Sequence, residues 1–365
     1  MKTPDILIVG GGPAGMAAAL SAARYGKEVV VIERDPHLGG QLIKQTHMFF
    51  GSEKQQASVR GFDIAYKMIQ QIEALPNVTV LKSTTVTALY DDGVVTAVNR
   101  AGYHKFLPKT MIVATGAFEK SLAFPNNALP GIYGAGAVQT LMNMHGIKPG
   151  QSVVMVGAGN IGLIVSYQLM QAGVEVKAIV DAAPSIGGYI VHASKVRRMG
   201  VPIYTNYTVK QAHGEKSLEG VTIWKLDEKW QPMPGTEMHY DCDILCVSVG
   251  LSPLSELLWQ RGCQMAYVPS LGGYVPKANE HHETSIANLF VAGDVSGIEE
   301  ASSAMVEGYL TGLYCNLRLE VYAEDMAALI ADYKSQLHDL RSGPAGDKIR
   351  EGLAQAKLEE ALHVG

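Results

Sequence analysis

The residues best placed to do chemistry in this sequence are glycines. In DILIVGGGPAG, Gly10, Gly12 and Gly15 form a GxGxxG pattern directly after an apolar strand. In such a pattern the first glycine permits a tight turn, the second lets the backbone approach a pyrophosphate, and the third lets the following helix pack closely on the strand. The pyrophosphate then sits at a helix N-terminus, where unpaired N–H groups and the helix dipole favour negative charge. Glu33 ends the next strand, 18 positions after Gly15, where a carboxylate can accept hydrogen bonds from an adenosine ribose. The constellation recurs. Gly157, Gly159 and Gly162 follow SVVMV, and Asp181 ends the next strand 19 positions after Gly162. Each copy reads as a dinucleotide site; glycines that serve packing alone, or a second site for another adenine nucleotide, are the alternatives.

The elements that position these residues form an internal repeat. DILIVGGGPAGMAAALSAARYGKEVVVIER and SVVMVGAGNIGLIVSYQLMQAGVEVKAIVD each read as apolar strand, glycine turn, helix and second apolar strand. Continuous apolar strands are expected in parallel sheets covered on both faces. Gly26 and Gly173 are placed to end the two helices. TTVTALYDDGVVTAVNR reads as a hairpin turning at Asp92-Gly93, and VTIWKLDEKWQPMPGTEMHYDCDILCVSVG is a comparable meander after the second repeat. TMIVATGAFEK and NLFVAGDVSG are further buried strands ending in glycine. Beyond about residue 318, AEDMAALIADYKSQLHDL reads as a helix, RSGPAGD as a break and KIREGLAQAKLEEAL as a resumed helix, either a cap on the fold or a partner-binding element.

Composition removes several classes. With 365 residues, 47% hydrophobic and 18% charged, the chain can bury a large core. The net charge of −5 comes with no basic stripe, which argues against nucleic acid. No apolar run is long enough to span a bilayer, and the first strand leaves no room for a secretory leader, so a cytoplasmic protein is expected. Cys242, Cys246, Cys263 and Cys315 include no CxxC pair and read as small buried hydrophobes rather than metal ligands. His47 and the pair His281-His282 are expected to be structural, the pair exposed and inert. Phe49 and Phe50 are expected in the core or against a ligand.

The ordered set VGGGPAG, IER, GGQL at 39–42, VATG at 113–116 and FVAGD at 290–294 resembles the thioredoxin-reductase-like flavoproteins over residues 5 to about 315. The resemblance implies an α/β fold of two three-layer, Rossmann-like domains. A discontinuous FAD domain (1–117 and 251–318) would carry an inserted NAD(H) domain (118–250), followed by a helical tail (319–365). Gly10, Gly12, Pro13, Ala14 and Gly15 would hold the FAD pyrophosphate, and Glu33 with Arg34 the ribose. Gly40 and Gln41 would run beside the flavin, Val86 would meet the adenine through its backbone, and Ala114, Thr115 and Gly116 would close the pocket. Gly293 and Asp294 would bind the ribityl and phosphate end, and the helix from Glu300-Ala301 would aim its N-terminus at the flavin pyrimidine. Gly157, Gly159, Asn160, Ile161, Gly162, Asp181 and Gly250 would form the second site. No arginine follows Asp181 before Arg197, so NAD(H) is expected over NADP(H). No catalytic side chain is assigned, because hydride exchange between two cofactors needs no protein acid or base.

Within that superfamily, FPNNALPGIYGAGAVQTLMN and VAGDVSGIEEASSAMVEGYLTG look like the FAD/NAD subunits of heteromeric amine and amino-acid dehydrogenases, a group that includes sarcosine oxidase alpha, opine oxidase, hydrogen cyanide synthase and dye-linked proline dehydrogenase. The CxxC of true thioredoxin reductases is missing near SIGGYIVHASKVRR, as is the C-terminal cysteine-rich domain with which many members hold an iron–sulfur cluster. The implied partners are a second flavoprotein and a small iron–sulfur protein, in a homo- or hetero-oligomer. A self-sufficient NADH-dependent enzyme and a non-catalytic nucleotide-binding scaffold are the alternatives. Hinges are expected near 117–125 and 250–255.

Overall fold

The computed structural model describes residues 1–49 and 51–358. Phe50 and the end of the last expected helix lie outside the described residues. Two compact units emerge, one of Met1–Phe118 with Ser252–Gly365 and one of Glu119–Leu251.

The first unit is built on a five-stranded parallel sheet ordered Leu289–Val291, Thr110–Val113, Ile6–Val9, Val29–Ile32 and Val78–Leu81. Successive side chains of a strand point to opposite faces, so a fully apolar strand feeds two cores at once. Ile6 and Ile8 face a core with the alanines of the helix Pro13–Ala23, while Leu7 faces another with Val95, Ala97 and Phe106. Those three come from an antiparallel sheet of Thr85–Leu89, Val95–Asn99 and Gly102–Phe106, which turns at Gly93 with φ 83°. Helices, parallel sheet and antiparallel sheet make three layers.

The second unit repeats the plan. Its parallel order is Ile203–Thr205, Glu175–Asp181, Ser152–Val156, Ile244–Val247 and Ile132–Gly134, and its antiparallel layer is Tyr207–His213, Gly220–Lys225 and Met238–Asp241. Val153 and Met155 pack toward the helix Asn160–Gln171, and Val154 and Val156 toward the antiparallel layer.

The alanine-rich helix Pro13–Ala23 crosses the helix Ala301–Arg318 at very short range. A Cβ at Gly308 would lie 2.1 Å from the Ala14 carbonyl oxygen, and one at Gly312 2.1 Å from Ser21 Oγ. Buried Asn316 then donates from Nδ2 to the carbonyls of Ser21 and Ala22, at 3.2 and 3.1 Å, tying down the far end of the first helix.

The tail packs on the first unit as a cap. Its helix Met326–Leu340 buries Leu337 in the helix-side core, stacks Tyr333 on Tyr309 at 5.2 Å, and is strapped by Arg24–Asp325 at 2.7 Å and Lys54–Asp332 at 2.6 Å. The second tail helix spans Gly343–Gln355, so the expected break through RSGPAGD shrinks to the residues just before Gly343. The glycine and proline of that stretch sit in the first turn of the helix, where proline costs no hydrogen bond.

Candidate functional site: two glycine turns and an acidic turn

The glycines of the first turn, Gly10–Gly15, answer to two different demands. Gly10 has φ 107°, and a Cβ there would lie 2.3 Å from the Ala114 carbonyl oxygen; a Cβ at Gly15 would lie 1.9 Å from the Gly10 carbonyl oxygen. The protein's own packing therefore demands both. At Gly12 the backbone is ordinary, with φ −76°, and the nearest atom to a Cβ is 3.9 Å away. Nothing in the chain requires glycine at that position, whereas a group lying against the turn would. Gly12 caps the helix Pro13–Ala23, which has no side-chain cap and no acid in its first turn. Such an end accepts an anion.

Glu33 closes the other side of the turn. One carboxylate oxygen accepts the Gly11 N–H at 2.6 Å and the other the Asp35 N–H at 2.8 Å. A carboxylate has about four acceptor positions, so two bonds orient Glu33 and leave capacity for ribose hydroxyls. Burial raises its pKa above the ordinary carboxylate range. Gly39 donates its N–H to the Gly11 carbonyl at 2.8 Å, and Gly40, with φ 49°, comes so near that a Cβ would sit 2.8 Å from the Gly12 Cα. Thr84 donates to the Glu33 carbonyl at 2.9 Å, bringing the strand of Val86, with its bulge between Val86 and Ala88, beside the acid.

The second unit reproduces this geometry. Gly157 has φ 113°, and Cβ atoms at Gly157 and Gly162 would lie 2.0 Å from the Ser248 and 2.1 Å from the Gly157 carbonyl oxygens. Gly159, with φ −73°, has nothing within 4 Å of its Cβ position and heads the uncapped helix Asn160–Gln171. Asp181 accepts the Ala158 N–H at 2.6 Å and the Ala183 N–H at 2.8 Å, the same two-pronged grip as Glu33. Asn160 Oδ1 accepts the Tyr189 N–H at 2.8 Å, fastening the Gly187-Gly188 loop beside the turn, and Ile161 is exposed. In both turns, the open second glycine, uncapped helix and oriented acid fit the pyrophosphate and ribose of a dinucleotide.

The Gly293-Asp294 turn completes the set in the first unit. Burial, with Glu307, Glu299 and Glu300 nearby, pushes the Asp294 carboxyl up to about 7. Glu299 donates its N–H to Asp294 Oδ1 at 3.4 Å, and Gly293 donates its N–H to Glu307 at 2.9 Å. Glu300 is the N-cap of the helix Ala301–Arg318, which has neither a side-chain cap nor an acid in its first turn. Thr115 donates its hydroxyl to the Leu254 carbonyl at 2.7 Å, and the Gly116 carbonyl accepts from Leu254 at 2.9 Å.

Arg34 and Gln41 are exposed, and Gly250, with φ 113°, accepts the Lys120 N–H at 3.0 Å. His47 stacks on buried Phe49 at 6.0 Å between ring centres. The expectation that His281 and His282 are both exposed and inert is corrected for His282. Its Nδ1 lies 2.7 Å from Thr311 Oγ1, its ring meets Tyr314 edge-on, and burial lowers its pKa to about 4, keeping it neutral. All four cysteines are free and buried, and burial raises each thiol, Cys242 to about 12. The charged residue missed by motif reading is Arg341, which pairs with both Glu299 and Glu307.

A protein-family model described as pyridine nucleotide-disulphide oxidoreductase matches residues 4–308. The alpha subunit of sarcosine oxidase from Corynebacterium sp. (strain U-96) is 29% identical over 84% of this chain and 32% of its own length. The opine oxidase A subunit from Agrobacterium tumefaciens (strain Ach5) is 26% identical over 85% of this chain and 64% of its own. The chain thus spans from about a third to just under two thirds of these curated relatives. Among solved structures, L-proline dehydrogenase from P. horikoshii superposes with TM-score 0.72 at 23% identity, covering 92% of this chain and 59% of that one. Thioredoxin reductase from T. acidophilum gives TM-score 0.72 at 20% identity, covering 88% and 100%. At these identities the structural likeness is one of fold.

Proposed function

Because the chain belongs to the pyridine nucleotide-disulphide oxidoreductase family, we propose that it exchanges hydride between NAD(H) and FAD as the electron-transfer subunit of a heteromeric amine or amino-acid dehydrogenase. The observation that carries this reading is the doubled constellation: two glycine turns, each with a middle glycine that the protein's own packing does not require.

When bound, NADH would supply a hydride and FAD would accept it, the reverse direction being open to the same pair. The residues of the chain hold, orient and exclude. The Gly10–Gly15 turn and its helix would take the FAD pyrophosphate, Glu33 the ribose, and the Gly293-Asp294 turn the ribityl end. The Gly157–Gly162 turn would take the second pyrophosphate. Asp181, already fixed by two backbone N–H groups, would accept ribose hydroxyls and repel a 2′-phosphate, which favours NAD(H) over NADP(H). The buried thiols argue against dithiol chemistry, because a thiol raised by burial stays protonated and is a poor nucleophile.

The relatives whose names describe subunits, sarcosine oxidase alpha and opine oxidase A, support a multi-subunit assembly; in this reading the partner is a second flavoprotein that oxidises the amine, with a small iron–sulfur protein as a further carrier. The test is turnover by the isolated, FAD-loaded chain. Rapid NADH consumption with ferricyanide, and little in air alone, is expected. Sustained NADH consumption with no added acceptor would instead make the chain self-sufficient.

A further inference from the structure

We infer that Arg341, in the helical tail, is a positioning residue for the flavin-binding turn, so that the tail forms part of the cofactor site of the first unit. The inference rests on the FAD reading above.

Arg341 directly follows the helix Met326–Leu340 and turns inward. Its guanidinium grips Glu299, with Nη2 2.6 Å from Oε1 and Nε 3.0 Å from Oε2, and the same Nη2 also reaches Glu307 Oε1. The other Glu307 oxygen accepts the Gly293 N–H at 2.9 Å and the Ser296 hydroxyl at 3.3 Å. Glu299 in turn donates its backbone N–H to Asp294. Arg341 therefore connects through the Glu307 carboxylate to Gly293, and by fixing the Glu299 side chain it steadies the residue whose backbone N–H reaches Asp294; Gly293 and Asp294 are the two residues assigned to the ribityl and phosphate end.

The side chains of Arg341, Glu299 and Glu307 are only 13%, 9% and 8% exposed. Two carboxylates this deep, beside a third in Asp294, are stable together only with a cation between them. Arginine suits the place because its planar fork can satisfy two acceptors at once, whereas lysine offers one point charge. Without it, the buried carboxylates would take up protons or swing toward water, and the Gly293 turn would lose its acceptor. Burial alone would raise Glu307; the Arg341 guanidinium, with the Gly293 N–H, holds it below the ordinary carboxylate range.

The test measures FAD affinity and the visible band of bound flavin in Arg341→Met, Arg341→Lys and Arg24→Ala, with apo-protein folding followed by circular dichroism. Arg24→Ala cuts the strap to Asp325 at the opposite end of the same helix, so it loosens the tail without touching the turn. Arg341→Met is expected to weaken FAD at least about tenfold and shift the band toward that of free FAD. Arg341→Lys should recover part of both, and Arg24→Ala should stay within about twofold of wild type. A folded Arg341→Met chain with wild-type affinity and band overturns the inference. So does Arg24→Ala weakening FAD as much as Arg341→Met, because the tail would then act only as a lid. Where Arg341→Met fails to fold, Arg341→Lys decides: unchanged affinity and band overturn the role, and partial loss upholds it. A wild-type chain that takes up no FAD defeats the underlying reading as well, and is thereby told apart from failure of the Arg341 role alone.

Discussion

Gly12 and Gly15 lie three residues apart and separate folding from binding. Gly15→Ala would drive a Cβ to within 1.9 Å of the Gly10 carbonyl, so a loss of roughly 1–3 kcal/mol or more is expected in urea unfolding. Gly12→Ala meets no clash and an ordinary φ, so stability should change by less than about 1 kcal/mol, while FAD affinity falls at least about tenfold because the pyrophosphate loses its approach. Gly162→Ala and Gly159→Ala should divide in the same way for the second nucleotide. Asp294 makes a pH prediction. Its pKa in the folded apo-protein is about 7, above the ordinary value near 4, so the fold binds the proton more tightly than the unfolded chain. Its contribution to stability is then greatest at low pH and is lost as pH rises between those values. Neutral His282 works in the opposite sense, since its lowered pKa disfavours the fold as pH falls. The difference in Tm between Asp294→Asn and wild type, followed from pH 4.5 to 8, isolates the first effect; Asn should gain on wild type toward the alkaline end, and a constant difference would refute the assignment. The glycines and acids were legible in the sequence because their demands are local. Arg341 was not: its partners lie 42 and 34 positions away, with no periodic pattern joining them. His282 was misread because its polar neighbours suggest a surface, yet its ring packs beneath Tyr314.

At the scale of elements, the crossing of Pro13–Ala23 with Ala301–Arg318 positions the turn that precedes the first helix. Gly308→Ala would place a Cβ 2.1 Å from the Ala14 carbonyl, so a loss of about 1–3 kcal/mol in urea unfolding is expected, accompanied by weaker FAD binding because the first helix must move. Unchanged stability would show that the helices can separate freely. Breaking the exposed Arg24–Asp325 pair, by contrast, should cost less than about 1 kcal/mol. The burial of the alanine-rich helix could be read from its composition, and the strand–turn–helix units from their apolar runs. Which helix crosses it could not, because Gly308 and Gly312 look like ordinary helix-weakening residues until the partner backbone is seen. The start of the last tail helix was placed too late for a related reason: proline and glycine mark a boundary, and they do so equally at a first turn and in a loop.

For the molecule as a whole, the repeated plan was visible because each copy carries its own glycines, strands and acid. The order of the strands was hidden in the sequence, since parallel neighbours such as Thr110–Val113 and Leu289–Val291 are brought together across nearly half of the chain. Both units present the same open-glycine turn, and in the proposed function each takes one cofactor. An anaerobic titration of the FAD-loaded chain with NADH, following the yellow flavin band, tests this most directly. About one equivalent of NADH should bleach the band, with a much weaker response to NADPH. A band that stays oxidised with excess NADH, while adenine nucleotides still bind, would refute hydride exchange between the two sites and leave the second turn as a structural nucleotide site.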